Sequence, residues 1–181
     1  MKHTTLDIKD LIIIEPEVYK DDRGFFYESF NTQSFFKVVG LNVSFLQDNH
    51  SFSKKNVLRG LHFQKEPKPQ SKLVRVISGK IFDVAVDIRK DSPTFLKWRS
   101  VILSAENKKQ FWIPDGFAHG FLTLSDYAEV CYKASNNYDQ NLDDGIIWND
   151  SLLNIDWPQV DGFILSDKDK NLKESKIVFN L

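Results

Sequence analysis

Short apolar segments separated by polar turns fill most of the chain after residue 40. The segments with the length and the β-branched or aromatic content of strands are Ser44–Phe52, Val57–Gln64, Lys72–Ile77, Lys80–Arg89, Leu96–Leu103, Gln110–Ile113, Gly120–Leu124 and Tyr127–Ala134. The turns between them are rich in Gly, Pro, Asn, Asp and Ser, as in Ser78-Gly79. Many short strands at near-regular spacing predict a sandwich or barrel and argue against a parallel α/β fold.

The two ends of the chain follow other patterns. Near the N-terminus the sequence predicts a strand at Leu11–Val18, a turn at Asp21–Gly24 and a second strand at Phe25–Phe30. Asn31 or Thr32 can then cap a short helix that runs through Val39 and ends at Gly40. The tail, residues 138–181, is irregular, and we expect Trp148 and Trp157 to anchor it and a short helix to form near its end. With no repeat or linker, residues 1–181 are predicted to form one β-rich domain.

Composition narrows the class of protein. The chain has 181 residues, 41% of them hydrophobic, which suffices for the core of one domain. A formal net charge of −1 argues against nucleic-acid binding, so cations are expected to act singly in a site. Cys131 is the only cysteine, which fits a reducing compartment. The apolar run Leu11–Ile14 is too short for a signal peptide or a membrane span, and we expect a soluble, cytoplasmic protein.

One stretch, Arg59-Gly60-Leu61-His62-Phe63-Gln64, combines a cation, a glycine and an imidazole on a predicted strand. Imidazoles ionise close to neutral pH, so His62 can accept a proton, and Arg59 can hold an anion beside it. Residues three apart on a regular strand point to opposite faces, so a shared site requires a bulge, which Gly60 permits. Taken alone, the stretch is better explained by a core histidine beside a surface arginine on a twisted strand.

A second stretch, Pro114-Asp115-Gly116-Phe117-Ala118-His119, is similar to the second motif of cupin barrels, where the histidine often binds a metal. The first cupin motif contains two histidines one residue apart, but here Gln64 stands in place of the second imidazole. Glutamine is a poor ligand for transition metals, and a catalytic metal usually has three protein ligands. The sequence therefore predicts no metal. A metal-dependent cupin oxygenase or isomerase and a non-catalytic sugar-binding barrel remain as alternatives.

Taken together, the motifs resemble the dTDP-4-dehydrorhamnose 3,5-epimerase family from about Val18 to Asp169. The matching segments, in chain order, are Asp22-Arg23-Gly24-Phe25-Phe26 with Glu28, Gln47 to Ser51, Arg59 to Gln64, Gln70 to Val74, Asp83 to Arg89, Ser92-Pro93-Thr94, Pro114 to Phe121, Trp148-Asn149-Asp150 and Ser166 to Asp169. Any one segment could occur by chance, but this many in the same order is a specific signal. The resemblance implies an all-β, cupin-like double-stranded β-helix (jelly roll) with short peripheral helices. It also implies a homodimer that needs no metal or other cofactor.

The reaction of this family converts dTDP-4-keto-6-deoxy-D-glucose to dTDP-4-keto-L-rhamnose by epimerisation at C3 and C5. The C4 ketone acidifies the hydrogens on both carbons, so the reaction needs a base, an acid on the opposite face and a group that holds the enolate. The resemblance implies that His62 is the base and Tyr132 the acid, since a phenol is protonated at neutral pH. It also implies that Lys72 faces the ketone oxygen and that Asp169 orients His62.

The resemblance further implies a set of substrate contacts. Arg23 and Arg59 match the positions that hold the pyrophosphate, which suits planar guanidinium groups, and Phe26 and Tyr138 offer flat faces for thymine. The other matching contact positions are Glu28, Gln47, Asn49, His119, Asp143 and Lys168. Asp143 stands where the family usually has glutamate. An exchanged N-terminal strand implies that Arg23, Phe26 and Glu28 serve the partner subunit's site. An alternative function remains, in which the same acid and base serve a mono-epimerase or a ketoisomerase of another nucleotide-4-keto-sugar.

Overall fold

The computed structural model describes residues 1–181 and consists mainly of antiparallel strands. The strands are β1 Lys2–Thr5, β2 Ile12–Glu15, β3 Tyr19–Asp21, β4 Gly24–Phe26, β5 Gln47–Lys54, β6 Leu58–Gln64, β7 Lys72–Ser78, β8 Lys80–Asp87, β9 Trp98–Ser104, β10 Gln110–Ile113, β11 Phe117–Thr123, β12 Tyr127–Ala134 and β13 Asp143–Gly145. The helices are α1 Thr32–Val39, α2 Asp167–Lys170 and α3 Ser175–Val178. The all-β prediction is confirmed.

Two sheets form the body of the molecule. A six-stranded sheet has the order β1-β2-β10-β7-β12-β5, and a five-stranded sheet has the order β13-β6-β11-β8-β9. The third sheet is the hairpin of β3 and β4, which pairs with neither of the others. No helix of the structure is long and apolar enough to cross a membrane.

Alternation along the strands builds the core between the sheets. Val74, Val130, Ile81 and Phe121 point inward from β7, β12, β8 and β11 and belong to one cluster of buried apolar side chains. Complete burial of a side chain of this size contributes about 1.5–3 kcal/mol. Beyond the apolar residues, the same alternation points polar side chains into the space between the sheets. The strands that form the core therefore also carry the polar side chains of the candidate site.

The outer face of each sheet is covered by a different part of the chain. On the six-stranded sheet, Phe35 of α1 packs edge-on against Trp112, with ring centroids 5.1 Å apart. The helix begins and ends as predicted: the side chain of Asn31 accepts a hydrogen bond from the Ser34 amide, and Gly40 has a φ of 75°. On the five-stranded sheet lies the tail, in which the Trp157 indole donates to the Trp148 carbonyl at 2.9 Å, so the predicted anchors contact each other.

Some predicted boundaries are wrong. The strand expected over Phe25–Phe30 ends at Phe26, because the chain leaves the hairpin and crosses to the helix. Strand β11 begins at Phe117, so His119 lies inside a strand and not at the end of a turn. The sequence did not indicate β1, β3 or β13, since each is short and none alternates apolar with polar residues.

Candidate active site

A cavity of about 280 Å³ opens between the two sheets. Its walls come from β5, β7 and β12 of the six-stranded sheet, from β6 and β11 of the five-stranded sheet, and from the segment that contains α2. The lining residues are Ser51, Arg59, His62, Lys72, His119, Gly120, Phe121, Tyr132, Ser166, Lys168 and Asp169. The four side chains predicted to be catalytic therefore share one cavity with three of the predicted substrate contacts.

A bulge in β6 allows Arg59 and His62 to share this cavity. His62 pairs with His119 and Arg59 pairs with Phe121, so β6 has one more residue than β11 between the two pairs. Gly60 has a φ of +112°, and a Cβ there would lie 2.7 Å from both the Gly120 Cα and the His119 carbonyl oxygen. The bulge expected at Gly60 is present, and only glycine fits it.

His62 is paired with a buried carboxylate from the tail. Its Nε2 lies 2.6 Å from Asp169 Oδ1, and the other carboxylate oxygen accepts a hydrogen bond from Ser166 Oγ at 2.8 Å. Ser166 is also the N-cap of α2, since its Oγ accepts from the Asp169 amide at 3.1 Å. Burial favours a higher pKa for Asp169, but the hydrogen bonds from His62 and Ser166 outweigh it and lower the pKa. The carboxylate therefore stays ionised and fixes the imidazole.

Lys72 and Tyr132 project into the cavity from the six-stranded sheet, opposite His62. Burial lowers the pKa of Lys72 to about 8, while the charges of Asp83 and Asp143 act in the opposite direction. Its Nζ is 6.0 Å from the centroid of the Tyr132 ring. Burial also raises the pKa of Tyr132, with Asp143 adding to the shift and Arg59 opposing it. At neutral pH the phenol is therefore a proton donor, and the ammonium is a cation held away from water.

Arg59 and His119 occupy neighbouring positions on the same wall. The Arg59 guanidinium donates to Ser53 Oγ at 3.0 Å and to the Phe52 carbonyl at 3.1 Å, which aims it along β5. His119 Nε2 lies 2.8 Å from Asp83 Oδ1. Both side chains are thus held by protein contacts before any ligand arrives.

The predicted contacts at the rim form a second connected group. Lys168 makes an ion pair with Asp143, and the Tyr138 hydroxyl donates to the same carboxylate at 2.8 Å. Gln47 accepts from the Tyr138 amide at 2.7 Å and donates to Asn49 at 2.9 Å. The Tyr138 ring is exposed, which leaves its face available for stacking.

The structure does not bring Arg23, Phe26 and Glu28 into the cavity. The Arg23 side chain is 90% exposed and pairs with Asp21 at 2.5 Å, and Phe26 is 71% exposed. Glu28 accepts a hydrogen bond from Asn31 at 3.2 Å. All three belong to the hairpin or to the segment that follows it, outside the two large sheets.

Sequence reasoning missed two serines of the cavity. Ser51 Oγ is buried without a hydrogen-bond partner, and Ser166 caps α2 and holds Asp169. Both could have been found: Ser51 continues the alternation of Gln47 and Asn49 on β5, and Ser166 stands three residues before an aspartate in a helix-start pattern.

Gln64, at the position of the missing metal ligand, is fully used in the protein. Its amide nitrogen donates to the carbonyls of Lys68 and Asn137 at 2.5 and 3.1 Å, and its oxygen accepts from the Asp139 amide at 2.9 Å. These bonds tie two loops to β6. The structure has no group of three or more His, Cys, Asp or Glu side chains arranged to hold a metal ion.

Comparisons with family models and with curated proteins identify the same family. The family model described as dTDP-4-dehydrorhamnose 3,5-epimerase matches residues 5–176. The dTDP-4-dehydrorhamnose 3,5-epimerase of Escherichia coli (strain K12) is 60% identical over 166 residues, which cover 92% of this chain and 90% of the relative.

Solved structures agree. The dTDP-6-deoxy-D-glucose-3,5-epimerase of Legionella pneumophila, in complex with dTDP-4-keto-L-rhamnose, is 50% identical with a TM-score of 0.93. The match covers 96% of this chain and 92% of the Legionella chain. A 3'-monoepimerase from Streptomyces bikiniensis, in complex with dTDP-quinovose, is 31% identical with a TM-score of 0.91. The match covers 98% of this chain and 90% of the monoepimerase. The cupin-like jelly roll is confirmed by such neighbours. The chain belongs to the dTDP-4-dehydrorhamnose 3,5-epimerase family.

Proposed function

We propose that this protein epimerises dTDP-4-keto-6-deoxy-D-glucose at C3 and C5 to give dTDP-4-keto-L-rhamnose. The observation that carries the proposal is the placement of an imidazole and a phenol on opposite sheets around one cavity. Inversion at a carbon removes a proton from one face and returns a proton to the other, so a base and an acid on opposite walls are what it needs. Membership in the family supports the same reaction.

The base in this proposal is His62. Asp169 holds its Nε2, so the imidazole is oriented, and the positive charge that it acquires on taking a proton is stabilised by an adjacent carboxylate. Removal of the hydrogen on C3 or C5 leaves the electron pair in an enolate whose charge rests on the C4 oxygen. The ammonium of Lys72 stabilises that oxygen, and its burial strengthens the interaction.

The acid is Tyr132, which donates its phenolic proton to the opposite face of the same carbon. The raised pKa keeps the hydroxyl protonated until the enolate forms. Proton transfer to carbon leaves a phenolate, and Lys72 and Arg59 supply nearby positive charge for it. The imidazolium then releases its proton to solvent and the phenolate takes a proton from solvent, so the same base and acid serve C3 and C5 in turn.

We propose that the nucleotide binds along the rim and that a partner subunit completes its site. Arg59 lines the cavity mouth for the pyrophosphate, and the exposed ring of Tyr138 stacks on thymine. Arg23, Phe26 and Glu28 are predicted contacts that lie neither in the cavity of their own chain nor in the hydrogen-bonded group around Asp143. A homodimer in which the hairpin reaches the neighbouring cavity brings them to a site. The detached hairpin and the free edge of β5 support this arrangement.

The test of the reaction is incubation with the keto-sugar nucleotide in deuterated water, followed by NMR. Deuterium at both C3 and C5 supports the proposal, and no exchange at either carbon contradicts it. In Tyr132→Phe we expect exchange to continue while the inverted product is lost, because His62 still removes and returns protons on its own face. Equal loss of exchange and inversion would contradict the assignment of Tyr132 as the acid.

Mono-epimerisation is the second candidate function, favoured by the fold that this chain shares with the Streptomyces bikiniensis 3'-monoepimerase. Both candidates use the same base and acid, and they differ in how the sugar is held between the two steps. The deuterium experiment separates them, since a mono-epimerase inverts one carbon only.

The exchanged hairpin has its own test. Coexpression of His62→Ala with Arg23→Ala gives mixed dimers in which one site has both residues intact if Arg23 acts across the interface. Activity above the mean of the two homodimers supports the exchange. Activity equal to that mean contradicts it, because each chain would then carry a defect in its own site.

We also propose a cytoplasmic location. Cys131 is partly buried and has no cysteine to pair with, which is compatible with a reducing compartment. Cell fractionation with an antibody against the protein tests this proposal.

A further inference from the structure

Asp83 is a buried charged residue that the mechanism above does not use. It lies on β8, points into the space between the sheets and is 0% exposed. One carboxylate oxygen, Oδ1, is 2.8 Å from His119 Nε2, and the other, Oδ2, is buried without any hydrogen-bond partner. Buried carboxylates normally have both oxygens satisfied, so an unpartnered oxygen calls for an explanation.

A buried cation lies on the facing sheet. Lys72 is buried on β7, and Asp83 has the largest effect of the charged groups that act on it, ahead of Asp143 and Lys168. The two side chains make no ion pair within 4.0 Å, so Asp83 acts on Lys72 through the low-dielectric interior and not by direct contact. Asp83 is thus linked to two residues of the cavity, one by a hydrogen bond and one by charge.

We propose that Asp83 is a positioning residue of the epimerase site, whose buried carboxylate fixes the ring of His119 and helps to keep the ammonium of Lys72 charged beside the substrate ketone. This inference rests on the proposed function, since it assigns Lys72 to the enolate. His119 then has a fixed tautomer, in which the Nε2–H group donates a hydrogen bond to Asp83 and Nδ1 has no protein partner. Asp83 makes no hydrogen bond or ion pair with His62 or Tyr132.

The pH dependence of Lys72 involves several groups besides Asp83. The titratable and charged side chains around it are Arg59 and His62 on β6, Asp83 on β8, His119 on β11, Tyr132 on β12, Asp143 on β13, and Lys168 and Asp169 on α2. Removal of one negative charge from this set makes the protonated lysine less favourable.

Asp83→Asn is the direct test, because it removes the charge and keeps an oxygen that can accept from His119. We expect the alkaline limb of the kcat/KM profile to move to lower pH by roughly one unit, the lower end of the range for loss of a nearby opposite charge. We also expect kcat/KM at pH 7 to fall by about twofold, because roughly half of the Lys72 side chains would then be neutral. An alkaline limb unchanged from wild type would overturn the inference.

Asp87→Asn is the matched control. Asp87 lies on the same strand and is equally buried, but its carboxylate is bound by Arg89, Ser92 and Thr94 away from the cavity. We expect this variant, compared per folded molecule, to keep the wild-type alkaline limb. The same shift in both variants would mean that the shift reports general damage to β8, which would overturn the inference.

A measurement on the wild-type protein covers the case in which Asp83→Asn does not fold. The ¹⁵N chemical shifts of the His119 ring are expected to show a protonated Nε2, and an unprotonated Nε2 would overturn the inference. Failure of the proposed function is distinguishable, since wild-type protein would then give no deuterium exchange on the keto-sugar. Wild-type exchange with an unaltered Asp83→Asn profile overturns the role of Asp83 alone.

Discussion

Two histidine–aspartate pairs lie side by side in this protein, and they differ in the exposure of the histidine and in the part of the chain that supplies the carboxylate. His62 and His119 are register partners on β6 and β11. The His62 side chain is 30% exposed, and its carboxylate comes from the tail, 107 residues away. The His119 side chain is 7% exposed, and its partner Asp83 comes from the adjacent strand β8. One pair is open to the cavity, and the other is buried in the wall.

The difference separates two uses of the same pair. In the proposed mechanism His62 takes a proton from substrate and becomes positively charged, and Asp169, with both oxygens hydrogen-bonded, stabilises that charge. The His119 pair has an unpartnered carboxylate oxygen, so its negative charge remains to act on other groups. The two pairs therefore differ in the accessibility of the histidine and in the contacts of the second carboxylate oxygen, and both differences favour His62 as the proposed base.

The largest expected effect comes from truncation of His62, and truncation of His119 is its comparison. His62→Ala removes the proposed base, so we expect kcat to fall by about 10³-fold, within the range for general acid–base groups. His119→Ala removes a contact and not the proton acceptor, so we expect a fall of about tenfold in kcat together with a higher KM. Initial rates followed by NMR on the keto-sugar measure both. Equal losses of kcat would show that the two pairs act as one unit.

The next effect concerns the two oxygens of Asp169. Asp169→Asn keeps the size of the side chain but removes the charge that stabilises the imidazolium, and we expect kcat to fall by about 10²-fold with KM little changed. Ser166→Ala is the graded control, since it removes only the hydrogen bond to Oδ2 and one cap, and we expect a fall of a few-fold. A larger loss in Ser166→Ala than in Asp169→Asn would assign the effect to α2 and not to the carboxylate.

Stability gives a third test, at the bulge that sets the two histidines in register. In Gly60→Ala the new Cβ meets the backbone of His119 and Gly120 at 2.7 Å, and φ is positive. We expect the free energy of unfolding to fall by at least about 2 kcal/mol in urea titrations. Gly40→Ala is the control, because Gly40 has a positive φ but nothing within 4 Å, so it carries the backbone cost alone. Equal losses of unfolding free energy in the two variants would mean that the backbone of His119 and Gly120 leaves room for a Cβ at residue 60.

Much of this arrangement could be predicted from the sequence. The helix from Thr32 to Val39 and the strands at Gln110–Ile113 and Tyr127–Ala134 have the predicted bounds, because caps and alternation are local signals. The bulge also followed from local chemistry, since Gly60 lies between two side chains that had to share a face. Such features depend on a few neighbouring residues.

The features that could not be predicted depend on the register between strands that are far apart in sequence. The contact between Asp83 and His119 arises because His119 pairs with Ala85 and Phe121 pairs with Asp83, an alignment that no single strand encodes. The exposed hairpin is a second case, because Phe26 looks like a core residue in sequence and lies on the surface of the subunit. The first depends on tertiary pairing, which hydrophobic alternation leaves open, and in the second the hairpin pairs with neither large sheet.

The smallest expected effect comes from Lys72, where activity and stability should change in opposite directions with pH. Because the folded pKa is about 8, kcat/KM should fall as pH rises above that value and the ammonium is lost. The unfolded chain still binds the proton up to a pKa of about 10.4, so it holds more protons than the folded state in this window. The free energy of unfolding should therefore rise, by about 1 kcal/mol between roughly pH 8 and pH 9.

Lys72→Met isolates this contribution from the other groups that titrate at high pH. The difference in unfolding free energy between wild type and Lys72→Met, measured by urea titration at several pH values, should move in favour of wild type as pH rises from about 8 to 10. A flat difference would mean that Lys72 is hydrated and ionised like an ordinary surface lysine. It would then lack the dry surroundings in which Asp83 acts on it, whereas Asp169 would still hold His62 by direct contact.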